Sequence, residues 1–143
     1  MAKLVRDLMK IGVPTCTLET PLAEAARIMV RDQADSLIVT DEFGACGVVS
    51  QSDIAHAYSR NYMLLAAKDV MTEKIISVSP EAPLTTAANL MQDEQVHQVF
   101  IMHDHPGPSR PSAVITIRAI VREMAGLEPE KPVFKSPSKA ANA

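Results

Sequence analysis

"LETPLAEAARIM" (residues 18–29) returns 62 residues later as "PEAPLTTAANLM" (80–91). Laying residue i beside i+62 makes Asp7/Asp69, Met9/Met71, Glu19/Glu81, Pro21/Pro83, Leu22/Leu84, Ala25/Ala87, Ala26/Ala88, Met29/Met91 and Gln33/Gln95 identical. Past the next strand the register slips by four, and "GVVSQSDI" (47–54) falls on "AVITIRAI" (113–120). The extra residues lie in "HDHPGPSRPS" (103–112), whose prolines and glycine mark an enlarged hairpin loop. A period this long, occurring twice, is the mark of one duplicated supersecondary unit.

Each unit reads alike. Thr20 before Pro21 gives an N-cap and a proline at the first helical position. Leu22, Ala25, Ala26, Ile28 and Met29 then recur at helical spacing. "SLIVT" (36–40) and "CGVVS" (46–50) are short apolar strands around the turn "DEFG", and Ser52 to Arg60 makes a closing helix. The second unit supplies a helix over 83–95, strands over 98–102 and 113–116, and a helix over 118–125. The order strand, helix, strand, strand, helix predicts an α/β (α+β) fold of two β-α-β-β-α repeats, residues 4–62 and 63–126. A repeat of about 60 residues is marginal alone. Packing the two sheet to sheet, with pseudo-two-fold symmetry, lets each cover the other. Residues 127–143, rich in Pro, Lys, Ser and Ala, read as a tail with low intrinsic structure, docked through Val133 and Phe134 if ordered.

Composition narrows the function. A chain of 143 residues with 47% apolar content supports one domain, or two small lobes sharing a core. No apolar run approaches the length of about 18 residues that spans a membrane, and no signal peptide opens the chain; a cytoplasmic protein without membrane contact is expected. A net charge of -3 and 3% aromatics argue against nucleic acid as a partner. Cys16 and Cys46 lie in apolar strands and read as reduced core thiols. Leu22, Ile28, Ile54, Leu84, Leu90 and Ile120 exceed what a thin two-layer pair buries, so a homodimer through helices of both repeats is expected.

"GVVSQSDI" poses the functional question. Ser50 and Asp53 form a capping-box pattern, Ser at N-cap and Asp at N3, each satisfying an orphan amide. The same carboxylate is an acceptor with two oxygens, a match for a cis-diol. The two roles do not exclude each other. Ser50, Asp53 and His56 lie along one helix without a nucleophile elbow or an oxyanion hole, so an enzyme is not expected. His103, Asp104 and His105 read as a solvated turn rather than a metal site, and the methionines as core filler.

The order of these motifs, twice over, resembles a tandem CBS-domain pair, the Bateman module, in stand-alone form. The resemblance covers residues 4 to 126. It rests on "VRDLM" and "AKDVM", "TPLAEAARIM" and "APLTTAANLM", "SLIVTD" and "GVVSQSDI". It implies a non-catalytic regulatory module that binds an adenosine-containing ligand (AMP, ADP, ATP or S-adenosylmethionine) between the repeats, needs no cofactor or metal and signals through a protein partner. The alternative is a structural dimerisation module with vestigial clefts. By the resemblance, Asp53 takes the ribose hydroxyls, and Ser50 and Ser52 stand at a helix start suited to phosphate. Ile75, Ile76 and Val96 would flank adenine with Val48 behind, beside Gln98, while Lys74 and His97 would meet phosphate. The second cleft would be lined by Gly12, Val13, Pro14, Ala34, Asp35, Ser36, Thr116 and Arg118. It departs from the pattern, because Ala119 stands where the ribose-binding Asp belongs.

Overall fold

The computed structural model describes residues 2–102 and 109–130. His103, Asp104 and His105, most of the enlarged hairpin loop, and Val133 and Phe134 of the tail lie outside them. Among the described residues, six helices and six strands follow the order α1 (Val5–Leu8), β1 (Lys10–Ile11), β2 (Thr15–Thr17), α2 (Leu22–Asp32), β3 (Ser36–Asp41), β4 (Gly44–Ser50), α3 (Gln51–Ala57), a 3-10 turn (Tyr62–Leu64), α4 (Ala67–Val70), α5 (Leu84–Glu94), β5 (Gln98–Met102), β6 (Pro111–Thr116) and α6 (Ile117–Met124). One sheet has the order β2-β3-β4, the other β1-β6-β5.

The apolar strand runs bury both faces of each sheet, as an uninterrupted run should. Side chains alternate across the pleat. In β3 and β4, Leu37, Val39 and Val49 join Leu22, Ala25 and Met29 under the helices. In β5 and β6, Val99, Ile101, Ala113 and Ile115 do the same with Ala87 and Met91. The residues between them point the other way. Ile38, Val48 and Phe100 are buried together, with Val13, Ile75 and Val114 packed against them. These six are three repeat-related pairs, Val13/Ile75, Ile38/Phe100 and Val48/Val114. The sheets therefore meet face to face about an approximate two-fold axis, as the repeat predicts.

The segments opening each repeat cross to the other. β1 pairs antiparallel with β6, Lys10 opposite Val114. Thr72, the equivalent of Lys10, bridges antiparallel to Val48 of β4. The short helices cross as well. Val5 and Leu8 of α1 are buried in the core of the second repeat, and Ala67 of α4 in that of the first. Backbone bonds repeat the symmetry: Val5 N donates to Ala82 O and Ala67 N to Thr20 O, both at 2.9 Å. The recurring Asp7 and Asp69 have a structural task, since each accepts through Oδ2 from the amide three residues before it, Leu4 N and Ala66 N, at 2.8 Å.

Two expectations change. Thr20 does not cap α2, because Pro21 itself is the N-cap, with φ -56° and ψ 142°. The Thr20 hydroxyl instead accepts from Thr17 N, and the crossing chain supplies an acceptor for Leu22 N, the Leu65 carbonyl at 2.9 Å. Of the six apolar positions assigned to a dimer face, Leu22 lies in this chain's own core and the other five are partly buried against it. Leu22 is 2% exposed, and Ile28, Ile54, Leu84, Leu90 and Ile120 pack against the two helix-side clusters. The crossing helices α1 and α4 provide part of the cover that a two-layer repeat lacks. Cys16 and Cys46 are free thiols, and burial pushes the Cys16 thiol up to about 11.

Leu8, 5% exposed, tests the crossing. Leu8→Ala should cost about 2–5 kcal/mol in urea unfolding, as a core truncation does. A cost near zero would mean that α1 is a peripheral arm.

Candidate functional site

The crossing leaves two clefts where the sheets part. The first, about 210 Å³, is lined by Val48, Ser50, Ser52, Asp53, Thr72, Lys74, Ile76, Gln95, Val96, His97, Gln98 and Phe100. Nine of the ten residues expected on sequence grounds line it together. The tenth, Ile75, packs between the sheets, whereas its neighbour Ile76 packs against the second helix-side core. Thr72, Gln95 and Phe100 were not anticipated. Gln95 had a signal: it is the repeat partner of Gln33, and both end their helices in the left-handed region, at φ 56° and 50°. Val96 N then donates to Met91 O and Ala34 N to Met29 O, closing each helix.

Asp53 is positioned by the start of α3. Ser50 N donates to Asp53 Oδ2 at 2.8 Å, and Asp53 N donates to Ser50 Oγ at 3.2 Å. The capping box is therefore formed. Among the described residues Oδ1 makes no hydrogen bond, so one oxygen is committed to the cap and the other is not, while Asp53 lines the cleft. Lys74 is not free: its Nζ lies 2.7 Å and 3.1 Å from the two carboxylate oxygens of Glu94, the last residue of α5. This pair is exposed on the lysine side, and contributes little to stability. It does neutralise the cation expected to meet phosphate.

The second cleft is related by the pseudo-two-fold axis but differs in chemistry. Gly12, Val13, Pro14, Ala34, Asp35, Ser36 and Thr116 line its smaller part, about 40 Å³, with Lys10, Ile11, Asp32, Gln33 and Val114. Arg118 lies instead on an adjoining larger part of about 250 Å³, with Lys10, Asp35, Ala119, Arg122, Glu123, Leu127, Pro129 and Glu130. Thr116 Oγ1 accepts from Ala119 N at 3.2 Å, the counterpart of the Ser50 cap, but Ala119 returns nothing. The Arg118 guanidinium bonds the Glu130 carboxylate and holds it below the usual carboxylate range. A groove of about 230 Å³ joins the clefts, lined by Asp35, Ser50, Gln51, Ser52, His97, Gln98, Ile117 and Arg118. No group of three His, Cys, Asp or Glu among the described residues is arranged to hold a metal ion. None of the helices among the described residues is long and apolar enough to cross a membrane.

Two sheets packed face to face, exchanged opening segments and a pair of clefts at their margins define a tandem repeat module. The family model for the CBS domain matches residues 5–60 and again 67–126, and the chain belongs to the CBS domain family. Among solved structures, it is similar to the CBS domain pair of protein MJ0100 in complex with 5'-methylthioadenosine and S-adenosyl-L-methionine. That match has a TM-score of 0.78 at 24% identity and covers 88% of this chain and 98% of the other. A putative acetoin utilization protein (AcuB) from Vibrio cholerae gives a TM-score of 0.69 at 22% identity, covering 88% and 93%. Among curated proteins, it is 25% identical over 124 residues to an L-aspartate semialdehyde sulfurtransferase of Methanocaldococcus jannaschii, covering 86% of this chain and 23% of that protein. A homoserine O-acetyltransferase of Methanosphaerula palustris is 28% identical over 94 residues, covering 65% of this chain and 19% of that protein. The chain thus spans about a fifth of the length of these two enzymes.

Asp53→Ala should lose the reciprocal cap and cost about 1 kcal/mol of stability. Urea unfolding checks this. An unchanged midpoint would mean that the cap contributes nothing.

Proposed function

We propose that this chain is a non-catalytic regulatory module whose first cleft binds one adenosine-containing ligand. The observation that carries the reading is the asymmetry at one repeat position. Asp53 brings a carboxylate oxygen free of protein hydrogen bonds among the described residues to a cleft that also presents Val48, Ile76, Val96 and Phe100, whereas Ala119 brings none to the other. A cis-diol needs an acceptor, and an ionised carboxylate supplies the strongest kind. Val48, Ile76 and Val96 suit the faces of a purine. Ser50, Ser52 and His97 stand toward the joining groove, where a 5' substituent would extend. Lys74 reaches a phosphate only by leaving Glu94, so ligands with small or uncharged 5' groups need less rearrangement than a triphosphate. The bound methylthioadenosine and S-adenosylmethionine of the structural neighbour are consistent with that class.

Calorimetry with AMP, ADP, ATP, S-adenosylmethionine and methylthioadenosine tests the proposal. At least one should bind with one tight site per chain. Asp53→Asn keeps the side-chain shape but removes the charge. Two hydrogen bonds to an ionised acceptor are lost or weakened, each worth roughly 1.5–3 kcal/mol. Asp53→Asn should bind at least about tenfold more weakly while folding nearly as well as wild type. Unchanged affinity in the folded mutant would leave Asp53 as a cap alone.

The output passes by contact with a protein partner, and the module acts as a homodimer. Exposed apolar side chains fall at repeat-related positions at the ends of α3 and α6, Tyr58 at 77% and Met124 at 84% exposure, with Val121 of α6 at 59% and Leu64 of the 3-10 turn at 79%. Light scattering at tens of micromolar should give the dimer mass, and Tyr58→Glu with Met124→Glu should halve it. A monomeric wild type would contradict this surface.

A further inference from the structure

The repeats part company after their closing helices. α3 ends with Tyr58 in right-handed helical conformation, and the chain goes on to the 3-10 turn, where Tyr62 and Leu65 pack on the first core. α6 ends differently. Gly126 takes φ 74°, a conformation that favours glycine. Leu127 N then donates to Arg122 O and Gly126 N to Glu123 O, the bonds of a Schellman turn. This turn sends residues 127–130 back along the second cleft, where Leu127, Pro129 and Glu130 form part of its wall. Two contacts fix them there: Arg122 Nη2 donates to Glu128 O at 2.8 Å, and Arg118 Nε donates to Glu130 Oε1.

The charges close around this segment. Lys10, Arg118 and Arg122 stand on the cavity wall against Asp35, Glu123 and Glu130. Without Glu130 the wall carries an excess of one positive charge. Arg122 Nε is also buried without a hydrogen-bond partner among the described residues, an unmet donor in the same wall. The cleft with Ala119 in place of Asp53 thus carries a cation one position earlier, Arg118 in place of Ser52, and the chain itself supplies the anion.

We propose that residues 127–130 are a displaceable strap on the second cleft: Glu130 acts as the internal counter-ion of Arg118, and a compact polyphosphate anion enters by displacing it. Both side chains are partly exposed, 66% for Arg118 and 48% for Glu130, so the pair is weak enough to be exchanged. A multivalent anion meeting Arg118, Lys10 and Arg122 together outcompetes one carboxylate, and release frees the segment for another contact. The inference does not rest on nucleotide binding in the first cleft, and neither Glu130 nor Arg122 belongs to that cleft.

Inorganic tripolyphosphate is the probe, used on the full chain at low ionic strength. Calorimetry should show Glu130→Gln binding it about three- to tenfold more tightly than wild type. The gain should vanish in the Glu130→Gln, Arg118→Ala double variant. Backbone NMR order parameters at Glu128 and Glu130 give the second reading. They should be high in wild type, fall when tripolyphosphate is added, and already be low in Glu130→Gln. The strap is overturned if Glu130→Gln binds no more tightly than wild type, if the gain survives loss of Arg118, or if residues 128–130 stay equally ordered in all three states. Loss of nucleotide binding in Asp53→Asn leaves these readings untouched, so the two proposals fail separately.

Discussion

Val48 and Thr72 exchange two backbone hydrogen bonds, 2.9 Å each, across the boundary between the repeats. This bridge, and the β1–β6 pairing that mirrors it, give each sheet an edge made by the other repeat. Edge strands must be covered or paired to avoid exposing a row of unsatisfied groups. Here each repeat covers the other's edge. The same crossing carries α1 and α4 into the opposite cores. Neither repeat can then leave without exposing a sheet face, an edge and a helix-side core at once.

The clefts are products of that exchange. The segment that crosses at Thr72 goes on through Lys74 and Ile76 to form one wall of the first cleft, and Val48 to Asp53 forms the wall facing it. Lys10 to Pro14 does the same for the second, opposite Val114 and Thr116. Gly47 shows how closely the parts fit, since a Cβ there would lie 2.6 Å from Met71 Sδ and 3.1 Å from the Thr72 carbonyl. Symmetry provides two clefts, and different residues at repeat-related positions make them unequal. Asp53 becomes Ala119, Ser52 becomes Arg118, and His97 is the repeat counterpart of Asp35.

Much of this was legible in the sequence because duplication leaves pairs. The offset of 62 located both long helices and paired Val13 with Ile75 and Ile38 with Phe100, which meet between the sheets. The slip of four aligned Asp53 with Ala119 and so separated the clefts. What was not legible depends on partners outside the repeat unit. "VRDLM" and "AKDVM" show that two segments are alike, but not which core each enters. A chain that returns to its own sheet has the same periodicity as one that crosses. Lys74 reads as a free cation until α5 brings Glu94 beside it. Residues 127–130 have a polar, Pro-containing composition that signals little structure, yet Gly126 turns them onto a charged wall. Arg118 and Arg122 then contact them there, through the Glu130 carboxylate and the Glu128 carbonyl.

If the exchange of segments governs the molecule, the two repeats unfold together. Native-state hydrogen exchange at the amides of Val49 and Ile115, buried in the two separate helix-side cores, measures this most directly. The account predicts the same opening free energy at both amides, with the same dependence on denaturant. A clearly smaller opening free energy in one repeat, with its own shallower denaturant dependence, would contradict it.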